Sequence, residues 1–172
     1  MSHLLVPRQN WKYYNMKTEL PMIKKKECGT CTKCCEGWLH ATVRGHDMYP
    51  GKPCFFVEIG KGCKDYKNRP KEPCKSFSCS WLEIEEMPEK FKPENSGVIM
   101  HYKSNNGNPY FSITKAPNNP TIHFLSWAMI YARSRSANIF WNVDNNSYWV
   151  GNEEFINQMN EEYDAKNNLL EI

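Results

Sequence analysis

The side chains best suited to chemistry in this chain are its eight cysteines, all between Cys28 and Cys79. Thiolate sulfur binds zinc and also holds iron–sulfur clusters. Eight thiols are enough for two centres with four ligands each, so this stretch is predicted to bind metal. The candidate ligands are Cys28, Cys31, Cys34, Cys35, Cys54, Cys63, Cys74 and Cys79.

The first four cysteines form the run Cys28-Gly-Thr-Cys31-Thr-Lys-Cys34-Cys35. A Cys-x2-Cys step turns the chain so that both sulfurs can reach one ion. Neighbouring side chains usually diverge, so we expect Cys34 and Cys35 to serve two centres, or one of them to be a free thiol.

Other uses of these cysteines are disulfide bonds and buried free thiols. The first residues lack the pattern of a secretory signal, so we expect a cytoplasmic protein. In the cytoplasm thiols stay reduced. Clustered cysteines there are therefore expected to be metal ligands rather than disulfides. A structural metal site, which folds the segment without doing chemistry, is the leading interpretation.

The metal itself is left open between two candidates. Zinc, in two sites, is slightly favoured for a small module, and a 4Fe-4S cluster follows closely. The three-cysteine run has ferredoxin-like spacing, but the fourth ligand of that pattern, Cys-x3-Cys-Pro, is absent.

The run is followed by an ordered set of residues: Gly62, Cys63, Tyr66, Arg69, Pro70, Cys74 and Cys79. Together with Cys-x2-Cys-x2-Cys-Cys, this order resembles the YkgJ-type cysteine-cluster family, described as zinc- or iron-chelating domains. Flagellin lysine methylases carry a related cluster. The resemblance covers residues 28–79 and implies metal chelation. The chain departs from it at Glu36, where many relatives are expected to have a basic residue.

The elements that position the cysteines define the expected fold class, which is α+β. Residues 1–27 are predicted to be an extended basic arm with a solvated lysine run, and residues 28–79 a loop-rich, metal-bound cysteine module. Residues 80–172 are expected to pack against it as a small part with two β-hairpins and two helices.

The C-terminal part shows the clearest periodicity. After a short helical or extended linker at residues 81–86, the pattern predicts strand, strand, helix, strand, strand, helix. The predicted strands are 98–103, 110–115, 139–143 and 148–150; the first helix spans 124–137 and is buried, and the second starts at Glu153, is capped by Asn152 and carries Ile156, Met159 and Tyr163 on one face.

Several other side chains were considered for function. His40, His46, His101 and His123 are each interpreted as surface or hydrogen-bonded histidines rather than ligands. Arg69 is expected to brace the cysteine loop through carbonyl groups or by shielding thiolate charge. Trp127, Trp141 and Trp149 are assigned to core packing.

The net charge of +3 gives little support for nucleic-acid binding, because metal binding would change that charge. Two zinc ions on eight thiolates would lower it to about −1, since each thiolate carries one negative charge. The nine Lys and Arg residues of the module then compensate sulfur charge.

Three functions follow from the sequence. The first is a metal-chelating cysteine-cluster protein that binds zinc or an iron–sulfur centre and acts as a binding or structural module, with a protein partner as one use. The second is an iron–sulfur enzyme for redox chemistry or methyl transfer, and the third is a nucleic-acid-binding zinc protein, which ranks last. No catalytic residue is assigned, and no stretch is apolar enough to span a membrane.

Overall fold

The structure is a computed structural model that describes residues 26–105, 107–115, 122–143 and 146–168. It contains both helices and strands, so the expected α+β class is confirmed. Within these ranges, no helix is both long enough and apolar enough to cross a membrane. Residues 1–25, nearly all of the predicted basic arm, lie outside the described residues.

The cysteine segment is built from short turns and hairpins, as the sequence predicts. Its strands β1 and β2 form one antiparallel pair, and β3 and β4 form another. The elements are a 3-10 turn at Lys33–Glu36, β1 at Ala41–Val43, β2 at His46–Met48, β3 at Val57–Glu58, β4 at Gly62–Cys63 and a helical turn at Lys71–Lys75.

A compact stretch connects this segment to the sheet. It consists of α1 (Ser80–Glu83), a 3-10 turn (Glu89–Phe91) and α2 (Pro93–Ser96). Pro93 occupies the start of α2, where its missing N–H costs nothing, and Gly97 ends the helix with a φ of +70°. The predicted linker at residues 81–86 is therefore helical over its first three residues, and Trp81 within it is buried in the core.

The four long strands form one sheet in the order β5-β6-β7-β8. The pairs β5–β6 and β7–β8 are antiparallel hairpins, whereas β6 and β7 run parallel. Both predicted hairpins are confirmed. Asn106 and residues 144–145, at the two hairpin turns, lie outside the described residues. The strands are β5 (Val98–Asn105), β6 (Asn108–Lys115), β7 (Asn138–Val143) and β8 (Asn146–Val150).

Helix α3 (Ile122–Ser134) makes the crossover that a parallel β6–β7 pair needs. Its buried face repeats every four residues, at Phe124, Ala128 and Ala132. The predicted burial is confirmed for this face only, because Ile130 on the opposite side is 71% exposed.

Helix α4 (Glu153–Asn168) begins as predicted. The Phe155 N–H donates to Asn152 Oδ1 at 2.8 Å, which is the expected N-cap bond. Phe155 and Met159 are its buried residues, whereas Tyr163 is exposed, so the buried face differs in part from the predicted one.

Two separate apolar cores hold these elements. The larger core joins the stretch from Trp81 to Phe91 with the sheet and α3, and it includes Trp141. The assignment of Trp141 to the core is confirmed. Trp127 is half-buried and packs against the same core, whereas Trp149 is half-buried outside it. The smaller core lies inside the cysteine segment and centres on Val43, Met48 and Cys54.

Candidate metal centre

The 3-10 turn that carries Cys34 and Cys35 is braced by Glu36. The buried Thr32 hydroxyl donates to Glu36 Oε1 at 2.6 Å, and Lys33 Nζ donates to Glu36 Oε2 at 2.8 Å. The Gly60 N–H donates to Thr32 Oγ1 at 3.1 Å. The carboxylate therefore fixes the cysteine pair, and the Thr32 hydroxyl ties it to the β3–β4 turn.

Gly37 allows the turn to pack against the β1–β2 hairpin. Its φ is +89°, and a Cβ added here would lie 2.1 Å from the Tyr49 carbonyl oxygen. No other residue type fits such a contact without moving backbone. The close approach brings the cysteine pair next to the smaller core.

Four of the cysteines form what we call the first thiol group. The Cys31 N–H donates to the Cys28 carbonyl at 3.0 Å, which closes the turn between these two cysteines. Desolvation and then the charges of Cys79, Cys31 and Cys35 raise the pKa of Cys28, although its surface is exposed. The charges of Cys28 and Cys31 also raise the pKa of Cys34. The group is Cys28, Cys31, Cys34 and Cys79.

Cys79 in this group is positioned by α1, which it precedes directly. Burial raises the pKa of Cys79, and it outweighs the opposite effect of the backbone N–H groups of Leu82 and Trp81. Such N–H groups directed at sulfur stabilise a thiolate. The side chain also packs against the larger core.

The remaining four cysteines form the second thiol group, and three of them belong to the smaller core or pack against it. Cys54 is buried there, Cys35 and Cys74 pack against it, and the Cys54 N–H donates to the Cys35 carbonyl at 2.9 Å. Burial raises the pKa of Cys54 and of Cys74, and the charges of Cys35 and Cys63 raise both further. The group is Cys35, Cys54, Cys63 and Cys74.

The two groups meet at the adjacent pair. Cys34 Sγ and Cys35 Sγ are 3.8 Å apart, and their contact raises the pKa of Cys34 and lowers that of Cys35. None of the eight cysteines is in a disulfide bond. In the described ranges, no three His, Cys, Asp or Glu side chains stand close enough to hold one ion as they are placed. The sulfurs are therefore gathered into two groups but are not closed around a common centre.

Two lysines place positive charge beside the first thiol group. Lys92 is buried, and its Nζ lies 5.0 Å from the centre of the Trp81 ring. The same Nζ lies close to Gly29: a Cβ atom added to this glycine would be 3.9 Å from it. Burial opposes its charge, but Glu94, followed by Glu89 and Cys31, raises the pKa of Lys92 above its ordinary value. A thiolate cluster is stabilised by such a cation.

Lys26 lies on the same tryptophan, 5.1 Å from the ring centre. Its ammonium group donates to the carbonyl groups of Ile84 and Met87 at 2.8 and 2.7 Å. The expectation of a fully solvated lysine run is thus wrong for Lys26, because the main-chain oxygens after α1 provide it with partners.

Arg69 and the histidines have simpler environments. Arg69 Nη1 donates to the Tyr66 carbonyl at 2.8 Å, and the guanidinium stacks 3.7 Å from the Tyr66 ring, which agrees with the predicted bracing role. His40 and His46 are exposed, and His46 stacks on Phe55. His101 is buried, which the sequence did not indicate.

Comparisons of the chain with protein-family models, curated proteins and solved structures gave no match. The resemblance to the YkgJ-type family therefore stays a prediction, carried by the residues quoted above.

Sequence reasoning missed the residues that hold the thiols in place. Glu36 was noted only as a departure from the family, although it braces the cysteine turn. Its spacing to Thr32 was the available signal, since a hydroxyl and a carboxylate four residues apart meet on a helical turn. Lys92 is 13 residues beyond Cys79, and nothing in the local sequence relates it to sulfur.

Proposed function

We propose that residues 28–79 form a zinc-binding module with two four-thiolate sites, one per thiol group. The observation that supports it is that the eight free cysteines, from five stretches of the chain, fall into two neighbouring sets within which the charge of one sulfur acts on another. The donor chemistry fits zinc, which prefers four sulfur ligands in structural sites.

The charges of the thiol groups support a cation in the same place. Within each group, the negative charge of one sulfur raises the pKa of another, so the thiolate forms repel each other. A divalent ion between them removes that repulsion. Each site would need side-chain rotation to bring the sulfurs to bonding distance.

The role that follows is structural. The smaller core has few apolar residues, and two-residue strands contribute little stability alone. Structural zinc contributes folding free energy of about 10 kcal/mol or more, which is enough to order such a segment. The cytoplasmic location and a protein partner are parts of this proposal.

An anaerobic count of metal and acid-labile sulfide on the purified full chain tests the proposal. We expect two zinc ions per chain and no sulfide. Iron with an equal amount of sulfide would overturn the zinc proposal and support an iron–sulfur centre instead. A folded chain without bound metal would overturn both.

The assignment of ligands is tested by paired serine variants of the adjacent cysteines. Cys34→Ser should reduce the zinc content by one ion and remove the first site, whereas Cys35→Ser should remove the second. With Co²⁺ in place of zinc, each variant should keep the visible absorption of one tetrahedral thiolate site. Alkylation of the remaining cysteines shows which site each variant has lost. If both variants lost the same site, the division of the cysteines into these two groups would be wrong.

A further inference from the structure

The cysteine segment exposes two aromatic rings that are held in place by flat partners. Phe55 is 66% exposed and stacks on the His46 ring, with 4.5 Å between the ring centres and 10° between the ring planes. Tyr66 is 57% exposed, and the Arg69 guanidinium lies 3.7 Å from its ring centre. Each ring therefore has one face covered by its partner and, given its exposure, surface left for contact with another molecule.

Arg44 fastens together the two stretches of chain that carry these rings. Its guanidinium lies 5.3 Å from the centre of the Phe56 ring and donates to Asp65 Oδ2 at 2.6 Å. The Lys64 N–H also donates to the Phe56 carbonyl at 2.9 Å. Each exposed ring directly adjoins one of these fastened residues in sequence, so the two rings are neighbours rather than scattered. What we call the aromatic surface consists of Phe55, Tyr66 and the cations Arg44, Lys64, Lys67 and Arg69.

The charge of the aromatic surface is positive. Arg44 and residues 64–69 provide four cations and a single carboxylate, that of Asp65, which leaves a charge of +3. Arg44 pairs with Asp65, and the charge of Arg69 also acts on Cys74.

Two of the four cations are open to an external anion. Lys64 and Lys67 are exposed and have no carboxylate partner among the described residues. Because solvent screens exposed charges, these two lysines compensate sulfur charge only weakly. Open rings flanked by such cations are complementary to a polyanion that carries flat groups.

We propose that the aromatic surface binds single-stranded nucleic acid, with bases stacked on Phe55 and Tyr66 and phosphates held by Lys64 and Lys67. Proteins that bind single strands combine stacking rings with cations along the backbone in this way. A duplex hides the faces of its bases, and an acidic peptide has no flat groups to match the rings. Net charge alone gave little support for nucleic-acid binding, whereas the position of these rings and cations favours it. This function goes beyond the structural role proposed for the thiol groups.

The test measures the fluorescence anisotropy of a labelled 20-nucleotide strand of thymidines, titrated with the full chain and the metal it carries when purified. The strand should bind more tightly than a 20-base-pair duplex of mixed sequence. Two phosphate contacts on a single strand predict a slope of about −1.4 for the logarithm of the binding constant against the logarithm of salt concentration.

The two rings are tested by alanine variants. Phe55→Ala and Tyr66→Ala should each weaken binding about tenfold, as expected for the loss of one stacked base. Tyr102→Ala is the matched control, since Tyr102 is 60% exposed but lies on β5, outside the aromatic surface. All three variants should keep the zinc content of the wild type, so that lost binding reports on the rings and not on the metal.

The lysines are tested by their effect on salt dependence. Replacing Lys64 and Lys67 together by glutamine should flatten the slope, whereas the same change at the exposed Lys90 and Lys103 should leave it as in the wild type. Equal slopes for the two double variants would overturn the assignment of phosphates to this surface.

Crosslinking of the wild-type chain gives a test that needs no variant. A strand with 5-iodouracil bases, irradiated on the protein, should form crosslinks at Phe55 or Tyr66, and crosslinks found only elsewhere would overturn the proposal. It is also overturned if the strand does not bind at 50 mM salt, if the duplex binds as tightly, or if both alanine variants bind like Tyr102→Ala. Competition by polyglutamate as strong as that by unlabelled strand would replace nucleic acid by an acidic protein partner.

Discussion

The two thiol groups differ in what surrounds them. The first group joins the 28–34 loop to Cys79, at the start of α1, and Lys92 lies beside it. The second group lies inside the cysteine segment, where Cys54 is part of the smaller core. If each group holds one ion, the first site fastens the module to the larger core, whereas the second stabilises the module itself.

The largest effect is expected from a serine substitution that removes a buried ligand. Cys54→Ser should lower the zinc content to one ion and expose residues 41–64 to proteases, because the smaller core loses both its metal and a packed side chain. The loss of stability should be on the order of 5 kcal/mol or more. Limited proteolysis with mass spectrometry gives the cleavage sites.

Cys28→Ser is the matched variant of the first group, at the exposed position. It should also keep one ion, but cleavage should occur near residues 28–34 while the β1–β2 hairpin stays protected. Identical cleavage patterns for the two serine variants would contradict the different roles of the groups.

The next largest effect concerns the close contact at Gly37. Gly37→Ala should destabilise the second group by about 3 kcal/mol or more, since the clash with Tyr49 adds to the cost of a positive φ. Gly45→Ala is the control, because Gly45 has a φ of +80° but open space around it. Its cost should be about 1 kcal/mol. Denaturant unfolding of both variants measures the difference, and equal costs would show that the contact is unimportant.

A smaller, pH-dependent effect is expected on the sheet side, at His101. Its folded pKa of about 4 lies below the unfolded value of about 6.5, so the unfolded chain binds the extra proton first as pH falls. Stability should therefore decline below pH 6.5, with about 1–2 kcal/mol lost by pH 5.

His101→Phe should remove this share of the pH dependence. The variant and the wild type, both zinc-loaded, are compared by unfolding at pH 7 and pH 5, so that effects of acid on the thiolates cancel. Parallel curves for the two proteins would show that His101 is not the group responsible.

The smallest effect tests the lysine beside the first group. Lys92→Met should weaken zinc at that site about tenfold, the lower range for residues that support metal ligands. The second site should be unaffected, and Lys90→Met, an exposed neighbour, should change neither. Competition with a chelator measures both affinities. An equal loss at both sites would point to general charge rather than to this contact.

Local sequence signals were sufficient for the C-terminal part. Apolar runs separated by turn residues predicted β5 to β8, and the Asn152 cap predicted the start of α4, because these features depend on neighbours in the chain. The parallel pairing of β6 with β7 and the exposed side of α3 were not predicted, since both depend on how distant segments pack.

The same limit applied to the candidate site. The spacing of Cys34 and Cys35 predicted ligands for two centres, but it did not divide the other six cysteines between them. That division depends on where Cys79 and Cys54 lie in three dimensions. Sequence reasoning treated His101 as an ordinary histidine because its burial comes from Phe77, 24 positions earlier.

The adjacent position of Cys34 and Cys35 has a further consequence for how the ions would load. One peptide bond separates a ligand of each site, so the first ion to bind fixes the turn that both sites use. The second ion then meets a turn that is already ordered, which makes the two binding steps cooperative. In native mass spectrometry of a zinc titration, the species with a single ion should stay scarce while the metal-free and two-ion forms exchange.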